Sequence, residues 1–200
     1  VQRERLQLNE ESLWAGEPFD TSPDNFKVNL KELQDMVLAG KIAEAGAFGH
    51  QTMVKKPTSF RSYEPLADLR LEFQHGPDVT GYRRELDLIR GISTVRYRTG
   101  GVVYRRDVLI SAVDDVIAIR LVAETPWSIS ASVTLTRQID MKLSSRDGIL
   151  RMDGQIVDIE APKAKDDNPG GSGPGGSHMR FAGRLNVQAA GGTVRAANDK

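Results

Sequence analysis

Two hundred residues, 39% hydrophobic and 27% charged, give enough chain for a sizeable core in one ordinary domain and lie outside the compositions of disordered proteins. The 27 Lys and Arg are matched by 27 Asp and Glu, so no net field draws in nucleic acid or an anionic membrane, and a neutral ligand suits the chain better. The absence of cysteine excludes disulfides and thiolate chemistry, and no apolar run approaches the roughly 18 to 20 residues needed to span a bilayer.

The chain opens on an alternating run, Val1 to Leu8, which predicts a strand with Leu6 and Leu8 on one face. It stops at Asn9-Glu10-Glu11-Ser12-Leu13-Trp14-Ala15-Gly16-Glu17-Pro18, a loop of side chains that hydrogen-bond or stack on a sugar. Glu10 and Trp14 are the candidate substrate-binding residues. The alternative for this loop is local: Asn9 and Ser12 close turns with their own backbone while Trp14 plugs the edge of a core. Because Val1 is neither a Met nor the start of a secretory signal, a piece of a longer chain is expected, with any export signal upstream.

A turn-rich passage, Phe19 to Phe26, leads to Asn29 and Glu32, which stand at capping-box spacing. Leu30, Leu33, Met36 and Val37 then recur with helical period up to Gly40. A second helix, Lys41 to about Met53, places Ile42, Ala45 and Phe48 on one side. The pair, about residues 29–54, reads as an insertion in a β domain, because the period changes afterwards.

Leu69, Leu71 and Phe73 alternate with Arg70 and Glu72, and His75-Gly76-Pro77 closes that strand. Tyr82 to Leu88 and Ile92 to Arg98 alternate likewise, and Gly100-Gly101 joins the latter to Val102-Val103-Tyr104 as a two-residue hairpin turn. Arg106 to Ser111 meets Asp114-Asp115 and returns as Val116 to Val122. Ser128 to Thr136 alternates throughout, with Ile129, Ala131, Val133 and Leu135 expected inward. Asp147-Gly148 and Asp153-Gly154 predict two further turns, and residues 166–177 a flexible Gly-rich loop. Strand character resumes from Met179 to Ala189, with a last strand starting at Thr193. About ten short strands with one helical pair predict a mainly β fold, an antiparallel β-sandwich (supersandwich) with a short helical insertion.

No catalytic or metal-binding constellation emerges. His50, His75 and His178 are far apart and lack ligand partners at metal-type spacing. Glu10-Glu11, Asp114-Asp115 and Asp166-Asp167 are adjacent pairs whose members point to opposite faces of a strand or sit in turns. Arg83-Arg84 and Arg105-Arg106 alternate with Tyr82, Leu86, Tyr104 and Val108, the pattern of a solvated or ion-paired face. No nucleic-acid and no membrane partner is expected.

Four motifs in order nevertheless carry a resemblance. They are the Leu6–Pro18 stretch, Tyr63-Glu64-Pro65-Leu66-Ala67-Asp68-Leu69, Tyr82-Arg83-Arg84-Glu85-Leu86-Asp87-Leu88, and Tyr104-Arg105-Arg106-Asp107-Val108 leading to Asp115-Val116-Ile117-Ala118-Ile119-Arg120-Leu121. Over most of Arg5 to Leu121 the chain resembles the amino-terminal domain of family 95 glycoside hydrolases, the inverting α-L-fucosidases. It departs from them at Glu11, where the family more often has Asp, and at Glu17 and Ala67, where it usually has Gly.

The resemblance implies that residues 1–200 are part of one amino-terminal β-sandwich domain, in contact with a catalytic (α/α)6 barrel downstream. The parent enzyme would hydrolyse terminal α-1,2-linked L-fucose of a fucosylated glycan, or related L-galactose, with inversion, and without metal or cofactor. The general acid and base belong to the barrel, so no catalytic residue is expected here, and a periplasmic or secreted location is implied. Two other readings stand beside this one: a carbohydrate-binding module, and a structural sandwich of another glycan-active enzyme such as an α-L-galactosidase or a related phosphorylase.

Overall fold

In the computed structural model, residues 1–15, 22–54, 63–156 and 179–196 are described. Glu17, Pro18, Asp166-Asp167, His178 and the Gly-rich 166–177 segment lie outside them. The chain order is β1 (Arg3–Leu8), α1 (Phe26–Leu38), α2 (Ile42–Thr52), β2 (Ala67–Phe73), β3 (Thr80–Asp87), β4 (Ile92–Thr99), β5 (Val102–Ser111), β6 (Val116–Ala123), β7 (Ala131–Thr136), β8 (Met141–Arg146), β9 (Ile149–Gln155) and β10 (Arg180–Asn186). These ten strands form three antiparallel sheets: β1-β2-β7, β3-β4-β5-β6 and β10-β9-β8. The mainly β sandwich with an inserted helical pair is therefore the observed architecture.

β2 is the central strand of the first sheet, and its period-2 alternation sets the core. Leu69 lies opposite both Leu6 and Leu135, and Leu71 opposite Val133, so one face of three strands carries a continuous apolar row. That face is met by the other two sheets. Met152 and Phe181 of the third sheet are buried in the same cluster, and Ile119 and Leu121 of the second pack against it. Each such buried side chain contributes roughly 1.5 to 3 kcal/mol of transfer free energy. A second, smaller cluster of Val95, Tyr97 and Tyr104 closes the space between the first and second sheets.

Two turns follow their residue chemistry. Gly100 and Gly101 take φ of 56° and 79°, and Asp147 and Gly148 take 54° and 76°, the positive pairs of a type I′ hairpin. The helix end is equally legible. Gly40 (φ 76°) donates to the Val37 carbonyl and Lys41 to the Met36 carbonyl, the two crossed bonds that terminate a helix through a left-handed residue.

Several expectations are corrected. The first helix begins at Phe26, not at Asn29. Asn25 turns the chain at φ 57°, and the Asn29 amide, instead of capping, donates to the carbonyls of Asp24 and Thr52. Asp153-Gly154 is not a turn but part of β9, opposite Ala182 and Phe181. Glycine is required there because the Phe181 ring and the Asp140 carbonyl occupy the place of a Cβ. Residues 193–196 form no strand. In β7, Leu135 is buried and Val133 half-buried, but Ala131 and the preceding Ile129 are exposed, although Tyr104 of the second sheet reaches this end and donates to the Ser128 carbonyl (3.1 Å). No helix among the described residues is long and apolar enough to cross a membrane.

Candidate functional site

The loop leaving β1 is held on three sides. Leu66 donates to the Leu8 carbonyl (2.9 Å) and Glu64 to the Leu13 carbonyl (3.0 Å), tying the loop to the segment that enters β2. Leu13 and Ala15 are buried in the main core, and they anchor the residue between them, Trp14. The Glu10 carbonyl closes a turn on the Leu13 amide (3.1 Å) and also accepts from the Tyr63 hydroxyl (3.0 Å). The Glu10 carboxylate accepts both the Ser12 amide (3.1 Å) and the Ser12 hydroxyl (2.6 Å). Trp14 donates its indole N–H to the Glu11 carbonyl (2.9 Å) and stands edge-on to Tyr63, with ring centroids 5.3 Å apart.

Glu10 and Trp14 thus share one compact loop. Most of its polar groups are taken up internally, but not as the local alternative has it: the Ser12 hydroxyl bonds the Glu10 carboxylate instead of the backbone, and Trp14 is exposed instead of plugging the core. What faces outward is an aromatic corner, Trp14 at 42% exposure beside the exposed Tyr63, next to an exposed Glu10 carboxylate. Chemically this is a surface for stacking and hydrogen bonding.

Behind the loop, Arg137 follows β7 and is almost buried. It pairs with Asp140 (2.6 Å) and Glu64 (3.2 Å), reaches the carbonyls of Pro65 and Leu66, and lies over the Phe181 ring with its guanidinium carbon 4.8 Å from the centroid. One side chain thereby joins the first sheet, the third sheet and the segment carrying Tyr63. Sequence reading passed over Arg137, although its i,i+3 spacing to Asp140 was the available signal.

A second buried arginine lies between the first and second sheets. Arg106 pairs with Glu4 and lies over Phe73 (5.5 Å), while its Nη1 has no hydrogen-bond partner among the described residues. Of the Arg105-Arg106 pair, Arg105 is the exposed, ion-paired member, bonded to Asp107 (2.9 Å), whereas Arg106 is core. His75, stacked on Phe73, meets the Tyr97 hydroxyl through Nε2 (2.8 Å), and Tyr97 stacks on Tyr104 (5.5 Å). Since Nδ1 faces the Gly76 carbonyl (3.1 Å), which only accepts, the neutral ring carries its proton on Nδ1 and accepts from Tyr97 at Nε2.

Burial pushes the Tyr97 phenol above its ordinary value, against the pull of Arg106 and with smaller upward pushes from Tyr104 and Glu4. Partial burial pushes the Asp107 carboxyl up, but the Thr94 hydroxyl (2.7 Å) and the Arg105 guanidinium outweigh it and hold the group below the ordinary carboxylate value. On the surface of β9, the Arg151 guanidinium likewise holds Asp153 down. Both resolved carboxyl shifts run opposite to what a general acid needs. Among the described residues no cluster of His, Asp and Glu is arranged to hold a metal ion.

The whole chain, residues 1–200, matches the family model described as the glycosyl hydrolase family 65 N-terminal domain. The chain belongs to this family. As a glycosyl hydrolase N-terminal domain, it also has curated relatives of stated activity. It is 30% identical over 142 residues to Alpha-L-fucosidase 2 of Arabidopsis thaliana, a match covering 70% of this chain and 16% of that protein. It is 30% identical over 122 residues to Probable alpha-fucosidase A of Aspergillus niger, covering 60% and 15%, and 30% identical over 115 residues to that of Aspergillus oryzae, covering 54% and 15%. The match therefore takes up about one sixth of the length of these relatives.

The second tryptophan was also passed over. Trp127 sits in the loop between β6 and β7 with φ of 63°, in the left-handed region that a bulky residue rarely enters, and is 83% exposed. Trp14 has its indole N–H bonded, whereas no hydrogen bond of the Trp127 indole is found among the described residues.

Proposed function

We propose that this N-terminal domain is the non-catalytic β-sandwich of a family 95-type α-L-fucosidase. Its parent enzyme hydrolyses terminal α-1,2-linked L-fucose with inversion, on a helical barrel that follows in the chain. The observation that carries this reading is the 30% identity over 142 residues with a protein named as an α-L-fucosidase. The carboxylate chemistry of the domain supports the non-catalytic role. Inverting hydrolysis needs a protonated acid and an ionised base roughly 6.5 to 9.5 Å apart across a cleft. Here Glu4, Glu64 and Asp140 are tied to the buried Arg106 and Arg137, and the partly buried Asp68 and Asp107 to Arg5 and Arg105. Export to the periplasm or outside the cell, where fucosylated glycans are met, belongs to the same proposal.

The test is a fucosidase assay on the 200-residue chain and on the full-length parent, with an α-1,2-fucosylated oligosaccharide and NMR detection of the sugar anomer first released. We expect β-L-fucose from the parent and no turnover by the domain. Fucose release by the domain alone sinks the non-catalytic reading, and L-galactose release in place of fucose shifts the parent to an α-L-galactosidase.

A second reading is that the loop itself binds glycan, favoured by the exposed face of Trp14 beside Tyr63 and the Glu10 carboxylate. Calorimetric titration of the chain with fucosylated oligosaccharides, with Trp14→Ala as control, decides it. Heat that disappears in the variant supports the reading, and no heat from the unaltered chain ends it.

A further inference from the structure

The four-stranded sheet is longer than the sheet that covers it. Along its inner face Val95, Tyr97, Tyr104 and Arg106 are buried, then Val108 and Ile119 are half-buried, and then the cover ends. The residues do not change character where the cover ends. Ile110 lies opposite Ile117 on that same inner face, at 71% and 43% exposure, and Leu86 lies next to Ser93 at the edge. The β3–β4 and β5–β6 hairpins finish at this end, and their turns carry Ile89 at 98% and Val113 at 94% exposure, where turn chemistry favours small polar residues. The outer face of the same strands carries Arg83, Glu85, Arg96, Arg105 and Asp107 among Val103, Leu109, Val116 and Val122, so charged groups break up its apolar residues as they do not at the inner end.

An apolar patch continuous with a core, with Arg90, Asp114 and Asp115 at its edge, has the anatomy of an interface: an apolar centre inside a polar rim. The family to which the chain belongs is an N-terminal domain, and the match covers 15 to 16% of its curated relatives, so in those proteins most of the polypeptide lies outside this domain. We propose that the hairpin end of the four-stranded sheet, centred on Leu86, Ile89, Ile110, Val113 and Ile117, is the surface on which the domain docks against an apolar face of the polypeptide that follows it in the parent enzyme. The proposal rests on the reading that the chain is the amino-terminal part of a longer glycoside hydrolase.

The chain contains no cysteine, so single introduced thiols report on burial. Ile89→Cys, Val113→Cys and, as an outer-face control, Arg83→Cys are made in the full-length parent, and maleimide labelling is followed peptide by peptide by mass spectrometry. We expect the thiols at 89 and 113 to label about tenfold or more slowly than the thiol at 83, as a docked surface that opens rarely requires. Equal rates at all three positions overturn the proposal. Protection that disappears on dilution overturns it too, since it means that a second copy covers the patch. Fucosidase activity is measured on the same preparation. Activity without protection rejects the docking surface alone, and protection without fucose release rejects the fucosidase reading alone.

Discussion

The loop at residues 9–15 and the hairpin end of the four-stranded sheet are both built from polypeptide leaving a strand, and they are finished in opposite ways. At the loop, Leu13 and Ala15 point into the core, the Trp14 N–H is bonded, and Arg137 draws the neighbouring segment in with two carboxylates and a ring. At the hairpin end, Ile89 and Val113 project with no such partners. The difference teaches that polar residues in a loop do not by themselves mark an interaction surface. The opening loop uses the Glu10, Ser12 and Trp14 groups on itself, and the turns that carry Ile89 and Val113 leave apolar surface uncovered.

The strongest way to break the contrast is to remove the clasp behind the loop. Arg137→Met removes the cation shared by Glu64 and the buried Asp140 and is expected to cost about 3 to 5 kcal/mol, read as a lower urea midpoint. A midpoint within error of the unaltered chain would show that the clasp contributes nothing. Leu71→Ala, in the apolar row of the first sheet, follows at about 2 to 5 kcal/mol in the same measurement. Trp14→Ala removes one hydrogen bond and one edge-on ring contact at a partly exposed position, and about 1 to 2 kcal/mol is expected.

The acid side sharpens the comparison at the second sheet. Because the folded state holds Asp107 below its ordinary value of 3.8, its contribution is complete above that range and is lost as pH falls through it toward the lower folded value. Asp107→Asn should therefore narrow the gap between urea midpoints at neutral and at acid pH, and an unchanged gap rejects this account. The smallest effect is expected at the hairpin end. Ile89→Asp and Val113→Asp should shift the midpoint of the 200-residue chain by about 0.5 kcal/mol or less, because neither side chain is covered within it.

Much of the fold was legible. Leu69, Leu71 and Phe73 announced a one-sided strand, and Gly100-Gly101 and Asp147-Gly148 announced hairpins, because period and turn chemistry are local properties. Local rules failed where a distant group decided the matter. Asp153-Gly154 has the composition of a turn, yet Phe181 needs the glycine inside a strand. Tyr82 to Leu88 alternates like a half-buried strand, yet Tyr82, Leu86 and Leu88 are exposed. At the candidate site, Glu10 and Trp14 were correctly placed in one loop, while the hydrogen bonds that occupy them could not be read from spacing. Arg137 was missed because its second carboxylate lies 73 positions away.

The sequence by itself determined the strand periods, the two type I′ turns, the end of the first helix at Gly40 and membership of a glycosyl hydrolase N-terminal family, since each depends on neighbouring residues or on motif order. The tertiary structure alone decided which alternating strands are covered and which arginines are buried. It also decided that the opening loop closes on itself while the far end of the four-stranded sheet stays open, for burial depends on which sheets meet and how far each extends.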